Sequence, residues 1–311
     1  KDMGKLAEAE IAYKEAIQLR PNFHNYHHNF GAMLFESGNY KDAAEQFRLS
    51  DLPISQLFLL KCFYQMNDQS NFYEQLDYLI NQGENNSMIG SLISRSKIRY
   101  GIDKHNPFCK DPLNYVLNND LNKQCDFKKI FVQGATAILN DKKIKHKVQD
   151  LLTNGIQTSG DVFSQGGLVT EAMKKIIYEE IEKYRFHFKD SEEGFIKDWP
   201  KSFYIRGWLV SMKNGGNLSA HMHDIGWATG SIYINVPPKE ESDSGNLVVC
   251  IDNENYAINK NKKKSINVVT GSLCLFPASL LHYTIPFKSD EKRIVLAFDI
   301  IANNSLSKNL N

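Results

Sequence analysis

Three histidines and an arginine carry the chemistry this sequence can do. His221 and His223 stand one residue apart in the stretch Gly207–Pro237, GWLVSMKNGGNLSAHMHDIGWATGSIYINVP. His282 sits in GSLCLFPASLLHYTIPF, and Arg293 follows in EKRIVLAFDI. On a strand, residues two apart face the same way, so an HxH pair aims both imidazoles to one side, and Asp224 points the other way unless the chain has already turned. Three imidazoles on one side of a metal leave the opposite positions open. That is the facial arrangement of ferrous sites, where two histidines and one carboxylate are usual. An arginine can meet a carboxylate with two parallel hydrogen bonds, so Arg293 suits an acidic co-substrate. A lone HxH is weak evidence, because surface histidine pairs are common. HxH with a following strand, LFPxxLLH and a later arginine is far more specific.

The elements that must hold these residues are strands. From Ser202 the pattern has period two and is rich in β-branched and aromatic residues. It predicts strands at Phe203–Met212, Leu218–His223, Thr229–Val236, Asn246–Ile251, Ser265–Val269, Ser272–Phe276, His282–Phe287 and Arg293–Ile301. Eight short strands between Gly, Pro and Asn turns suit a double-sheet jelly roll, whose mouth can hold a small site. The long amphipathic stretch Val169–Phe188 predicts a helix covering one sheet. Ile144–Leu152 predicts a second helix, and the glycine-rich piece between them, GIQTSGDVFSQGG, a connecting loop or lid. The basic run Lys260–Lys264 reads as a solvated hairpin tip.

The first hundred residues are helical instead. Residues 5–19 carry Ala9, Tyr13, Ala16 and Ile17 at helical spacing, and Pro21 ends the run. Tyr26–Ser37 and Tyr40–Leu49 form a pair broken at Gly38-Asn39. Residues 55–66 and 70–82 and Met88–Tyr100 predict three more helices. Phe30-Gly31, Leu34, Gly38, Tyr40, Ala43 and Phe47 resemble the tetratricopeptide repeat, and Ala9, Tyr13, Ala16 and Pro21 resemble the second helix of a preceding one. Small residues allow close helix approach, and neighbours stack because one pair cannot bury its apolar face alone. Such a surface could bind an extended peptide; a helical spacer or a dimerisation arm is the plainer reading. His24, His27 and His28 read as surface or packing histidines. Residues 102–140, broken by Pro107, Pro112 and NNDLNKQ, read as a linker with short helices.

Composition narrows the classes. A chain of 311 residues, 42% apolar and 23% charged, suggests about two globular domains. A net charge of +1 argues for neither nucleic acid nor a membrane surface. No apolar run approaches the ~18 residues of a membrane span. Five scattered cysteines without a CxxC pair fit a reducing cytoplasm rather than a disulfide framework. The chain opens inside a helical pattern at Lys1, as a fragment of a longer protein would.

The strand half resembles the 2-oxoglutarate- and Fe(II)-dependent oxygenases. It is most similar to a bacterial subfamily, often joined to tetratricopeptide repeats, with a GW…GG…HxH…GW.SG..Y…P stretch. Here that reads Gly207-Trp208, Gly215-Gly216, His221, His223, Gly226-Trp227, Thr229-Gly230, Tyr233 and Pro237. The resemblance spans about residues 150–301 and is strongest over 203–298. It implies an α+β chain: tetratricopeptide-like repeats over 1–101, the linker 102–140, and a jelly-roll (double-stranded β-helix) oxygenase domain with flanking helices over 141–311. It implies Fe(II) as metal, 2-oxoglutarate as co-substrate and O2 as oxidant, in hydroxylation of a protein, peptide or small molecule. Residue by residue, it implies His221 and His282 as ligands, His223 in the place of the usual carboxylate, Arg293 as co-substrate anchor and Tyr233 as a second contact to the same carboxylate. Val295 stands where a serine is frequent. Asp224 is the rival third ligand, with strand parity favouring His223. Trp208 and Trp227 are pocket walls or plain core. Two other readings are a repeat-type binding module with an inactive barrel, and a cupin-like dioxygenase without co-substrate, against which Arg293 speaks.

Overall fold

The computed structural model describes residues 3–252 and 262–303. The chain forms two compact units, one built on Lys1–Asn85 and Ser96–Lys104, the other on Asn86–Arg95 and His105–Asn309.

The first unit is helical: α1 (Met3–Leu19), α2 (His24–Glu36), α3 (Tyr40–Leu49), α4 (Pro53–Gln65), α5 (Gln69–Asn81) and the last residues of α6 (Ser87–Tyr100). Turn chemistry sets the boundaries. Gly38 ends α2 in the left-handed region at φ 85°, which costs glycine nothing. Asn39 and Asp68 then cap α3 and α5 by accepting from the Asp42 and Asn71 amides. From α1 to α5 each helix packs on its neighbour in sequence. A Cβ on Gly31 would come within 2.9 Å of the Phe47 ring, so only glycine admits that fully buried ring beside α2. His27 and His28 are buried and hydrogen-bonded, His27 to Gln46 and to the Pro21 carbonyl, His28 to Ser55, as packing histidines should be.

Among the described residues the second unit contains ten strands. Seven form one antiparallel sheet in the order β1 (Leu117–Asp120), β8 (Ser272–Pro277), β5 (Ala228–Asn235), β10 (Arg293–Ala302), β4 (Phe203–Leu218), β3 (Leu152–Thr158), β2 (His146–Lys147). Three form a smaller sheet, β7 (Lys263–Ile266), β6 (Leu247–Cys250), β9 (Leu281–Thr284). One face of the large sheet buries Leu209, Ile232, Leu296 and Phe298 with Met173 and Ile177 of the helix α8 (Leu168–His187). Its other face packs Tyr233, Val295 and Phe276 against Leu247, Val249 and Ile266 of the smaller sheet. β10 is thus covered on both faces, which explains its nearly continuous apolar run. Two antiparallel sheets with a helix on one face match the expected mixed architecture. Among the described residues no helix is long and apolar enough to cross a membrane.

Four local expectations are corrected. The stretch read as a linker is, from His105 on, part of the second unit: Phe108, Leu121, Phe127 and Phe131 are buried in its core, and β1 pairs with β8. Those residues come from irregular chain and from short 3-10 and π turns ahead of the helix α7 (Gln133–Asn140), so no single period links them. Ile144–Leu152 is not a helix. Val148 and Leu151 of that apparent stripe are exposed, and His146–Lys147 pair with Thr158 and Gln157 on β3, which takes up the start of the expected loop. The strand expected at Leu218–His223 is absent. β4 runs on through Asn214-Gly215-Gly216 to Leu218, with Gly215 at φ 72° and a register shift against β3, and the histidines lie past its end. β7 starts two residues before the expected strand and stops earlier. Of the basic run, Lys260 and Asn261 lie outside the described residues, while Lys264 donates to the Leu113 carbonyl.

Candidate metal centre and co-substrate pocket

The first histidine is positioned by a backbone bridge. The His221 amide donates to the His282 carbonyl at 3.1 Å and the His282 amide to the His221 carbonyl at 2.8 Å. Their ring centroids are 4.3 Å apart. His223 reaches the same place by a turn, in which the Gly226 amide donates to the His223 carbonyl. Its centroid is 5.2 Å from that of His221 and 4.9 Å from that of His282. Strand parity is therefore not what aligns the HxH pair, and Asp224 also lines the pocket. One nitrogen from each of the three imidazoles lies within 4.8 Å of the other two.

The hydrogen bonds fix which nitrogens face inward. His221 Nδ1 lies 2.8 Å from the Ser219 carbonyl, which can only accept, so Nδ1 carries the proton. His223 Nδ1 is held by the Asp299 carboxylate and lies 2.7 Å from Thr229 Oγ1. The Nε2 atoms of both rings then present lone pairs 3.3 Å apart. Two facing lone pairs repel unless a cation lies between them. Metal–imidazole bonds of about 2.1 Å put adjacent ligands about 3 Å apart, so the spacing fits one shared ion. Buried His282 Nδ1 has no hydrogen-bond partner. Burial, and then His223, push the His221 pKa down to about 4, and burial holds His282 well below the usual imidazole value. Both are neutral, as ligands must be. Burial also opposes a charge on His223, but Asp299 outweighs it and raises that pKa.

The same pocket, about 340 Å³, ends at Arg293. Along β10, residues 293, 295, 297 and 299 alternate onto the pocket face while Leu296 and Phe298 enter the core. Arg293 is 2% exposed. Its Nη2 donates to the Gly245 carbonyl at 3.2 Å, its guanidinium carbon sits 5.0 Å from the Tyr233 ring centroid, and Nε has no partner. Among the described residues no carboxylate pairs with it. A buried cation left so is costly unless an anion arrives, and the free donors fit a carboxylate of the co-substrate. Tyr233 is buried beside it, its phenol held protonated by burial. Val295 adds only an apolar wall. The two tryptophans divide: Trp208 lines the pocket 5.3 Å from His223, whereas Trp227 packs on Phe108 and donates to the Phe195 carbonyl.

Asp299 was not among the residues the sequence singled out, and Thr229 appeared only as a motif position without a role. A signal was there: Asp299 is an even number of residues from Arg293 on a strand, and so shares its face.

Residues 206–299 match the family model described as "Putative 2OG-Fe(II) oxygenase". The matched segment contains all three histidines, Tyr233 and Arg293. No curated protein matches the chain in sequence. Similar solved structures include a prolyl-4-hydroxylase from Pseudomonas putida, 9% identical, covering 69% of this chain and 99% of that one at a TM-score of 0.44. A prolyl hydroxylase from Trichoplax adhaerens, in complex with a hypoxia inducible factor peptide fragment, is 10% identical and covers 70% and 90% at 0.45. HygX from Streptomyces hygroscopicus, with nickel, 2-oxoglutarate and hygromycin B bound, is 10% identical and covers 63% and 88% at 0.37. The family match and the histidine cluster define an oxidoreductase of the 2-oxoglutarate- and Fe(II)-dependent class, with O2 as the oxidant.

Proposed function

We propose that the protein is a hydroxylase in which His221, His223 and His282 hold Fe(II) and Arg293, with Tyr233 beside it, anchors the distal carboxylate of 2-oxoglutarate. When bound, iron and 2-oxoglutarate supply the oxidising chemistry, consuming O2, releasing succinate and CO2 and hydroxylating a C–H bond of the substrate. The chain's own residues bind, orient and exclude water. The three imidazoles occupy one side of the centre and leave the pocket side open. Arg293 gives the co-substrate one orientation, and Trp208 and Val295 add apolar wall to the same pocket.

The observation that carries this reading is a buried arginine with an unpartnered Nε, and no paired carboxylate among the described residues, in the pocket where three imidazoles converge. The test is a split between two variants. Purified protein with Fe(II), ascorbate and 2-oxoglutarate should release succinate. Arg293→Ala should weaken 2-oxoglutarate binding by on the order of 10²-fold, the cost of a lost charge-assisted pair, with metal affinity nearly unchanged. Equal loss of both would reject the anchor role.

For the helical unit we propose tetratricopeptide-like packing and a protein or peptide partner. Gly31 against Phe47, with Ala43 and Ala44 buried, supports the packing. The jelly-roll form of the sheet unit and a cytoplasmic location, which the unpaired cysteines suit, belong to the same proposal.

A further inference from the structure

We propose that Asp299 is a positioning residue that supplies the metal centre with the negative charge its three-histidine ligand set lacks, delivering it through His223 with the help of Thr229. This rests on the ligand assignment above.

The usual facial site has two histidines and a carboxylate bound directly to iron. Here an imidazole takes the carboxylate's place, and a carboxylate stands immediately behind it. Asp299 is on β10, opposite Thr229 of β5 on one side and Arg206 of β4 on the other. It is only 6% exposed, and a buried carboxylate persists when it is hydrogen-bonded. Its Oδ1 accepts from both Thr229 Oγ1 and His223 Nδ1. An ionised carboxylate only accepts, so the threonine hydroxyl gives it its single hydrogen and keeps lone pairs toward Nδ1. Both oxygens around Nδ1 are then acceptors, and the His223 proton is confined to that nitrogen. Nε2 is left as a lone pair aimed at His221 Nε2, 3.3 Å away. Trp208, 5.3 Å from the His223 ring centroid, limits the imidazole from another side. A carboxylate behind a ligating imidazole fixes its tautomer and increases its basicity. Asp224 lines the pocket too, and Asp299 is hydrogen-bonded to a ring of the cluster.

The test is a titration of metal-stripped full-length protein with Co(II) under nitrogen, followed by calorimetry and visible absorption, so that the readout is not turnover. Asp299→Asn keeps an acceptor of the same shape and removes the charge. It should weaken Co(II) binding by about 10–100-fold and shift the Co(II) bands. The Fe(III)/Fe(II) midpoint potential should rise, since a lost negative charge disfavours the ferric ion, an effect that loss of packing alone would not produce. Thr229→Val should weaken Co(II) binding several-fold, and it decides the matter if Asp299→Asn does not fold. Asp224→Asn should weaken Co(II) binding less than Asp299→Asn does. The proposal is overturned if Asp299→Asn binds within about twofold of wild type, or if Asp224→Asn is the weaker binder. His223→Ala separates the two levels of inference. If it loses Co(II) affinity while Asp299→Asn does not, the ligand assignment stands and the role of Asp299 falls; if it binds normally, both fall.

Discussion

In the helical unit, Phe47 fills the space left by Gly31 on the preceding helix. In the sheet unit, Phe298 lies against Gly230, where a Cβ would stand 2.2 Å from the ring, on a strand far back in the chain. The packing device is the same, an aromatic ring seated on a glycine, but the distance along the chain differs. Helices that pack on their sequence neighbours leave the unit's order visible in the sequence. A strand inserted between two others at long range brings together residues that nothing local connects. The chemistry is in the second kind of region: Arg293 and Asp299 on β10, His223 after β4, and Tyr233 and Thr229 on β5 become neighbours only when β10 docks between β4 and β5.

The largest effect that would separate the two regions is loss of the metal centre. His282→Ala removes the most buried imidazole of the three, and metal binding and succinate release should both fall to background. Unfolding of the helical unit, followed by calorimetry, should not move. If it did, the two regions would not be energetically distinct. Phe47→Ala tests the converse. Emptying a fully buried ring site should cost the helical unit about 3–5 kcal/mol in denaturant unfolding, with Co(II) affinity unchanged. Gly230→Ala should destabilise the sheet unit by about 1–3 kcal/mol through overpacking against Phe298. Adding Phe298→Leu should recover part of that loss, which sharpens the parallel with Gly31 and Phe47; no recovery would mean the strain lies elsewhere.

The smallest effect is a pH dependence in the helical unit. His28 is buried with Nδ1 2.9 Å from Ser55 Oγ, and burial lowers its pKa. Below the ordinary imidazole value of about 6.5 the unfolded chain takes up a proton that the folded one refuses. Stability present above that pH should therefore decline as pH falls toward the depressed folded value. His28→Gln should flatten the decline in the melting temperature of this unit, and an unchanged slope would assign it to another group.

The legibility of the sequence follows the same division. The first five helices, the strand-rich half and the set of His221, His223, His282 and Arg293 could be read from spacing and turn residues, and Tyr233 only from the family resemblance. The edge strands of the large sheet, β1 and β2, could not. His146–Lys147 is two residues long, too short for a period, and the apolar residues around it imitate a helix. β4 could not be read to its end because Asn214-Gly215-Gly216 signals a turn, while in the fold it is a bulge braced by β3. The HxH spacing pointed to the right residues through an argument from strand alternation that the turn at His223–Gly226 replaces.

The sequence by itself determined which side chains could bind a metal and an acid, because residue type and spacing along one strand or helix are local properties. The tertiary structure alone decided that Asp299 and Thr229 stand behind His223, that Arg293 is buried with no carboxylate paired to it among the described residues, and that Trp208 rather than Trp227 faces the pocket. Those facts depend on which strands become neighbours and in what register, and register is set by burial across the whole sheet rather than by any one segment.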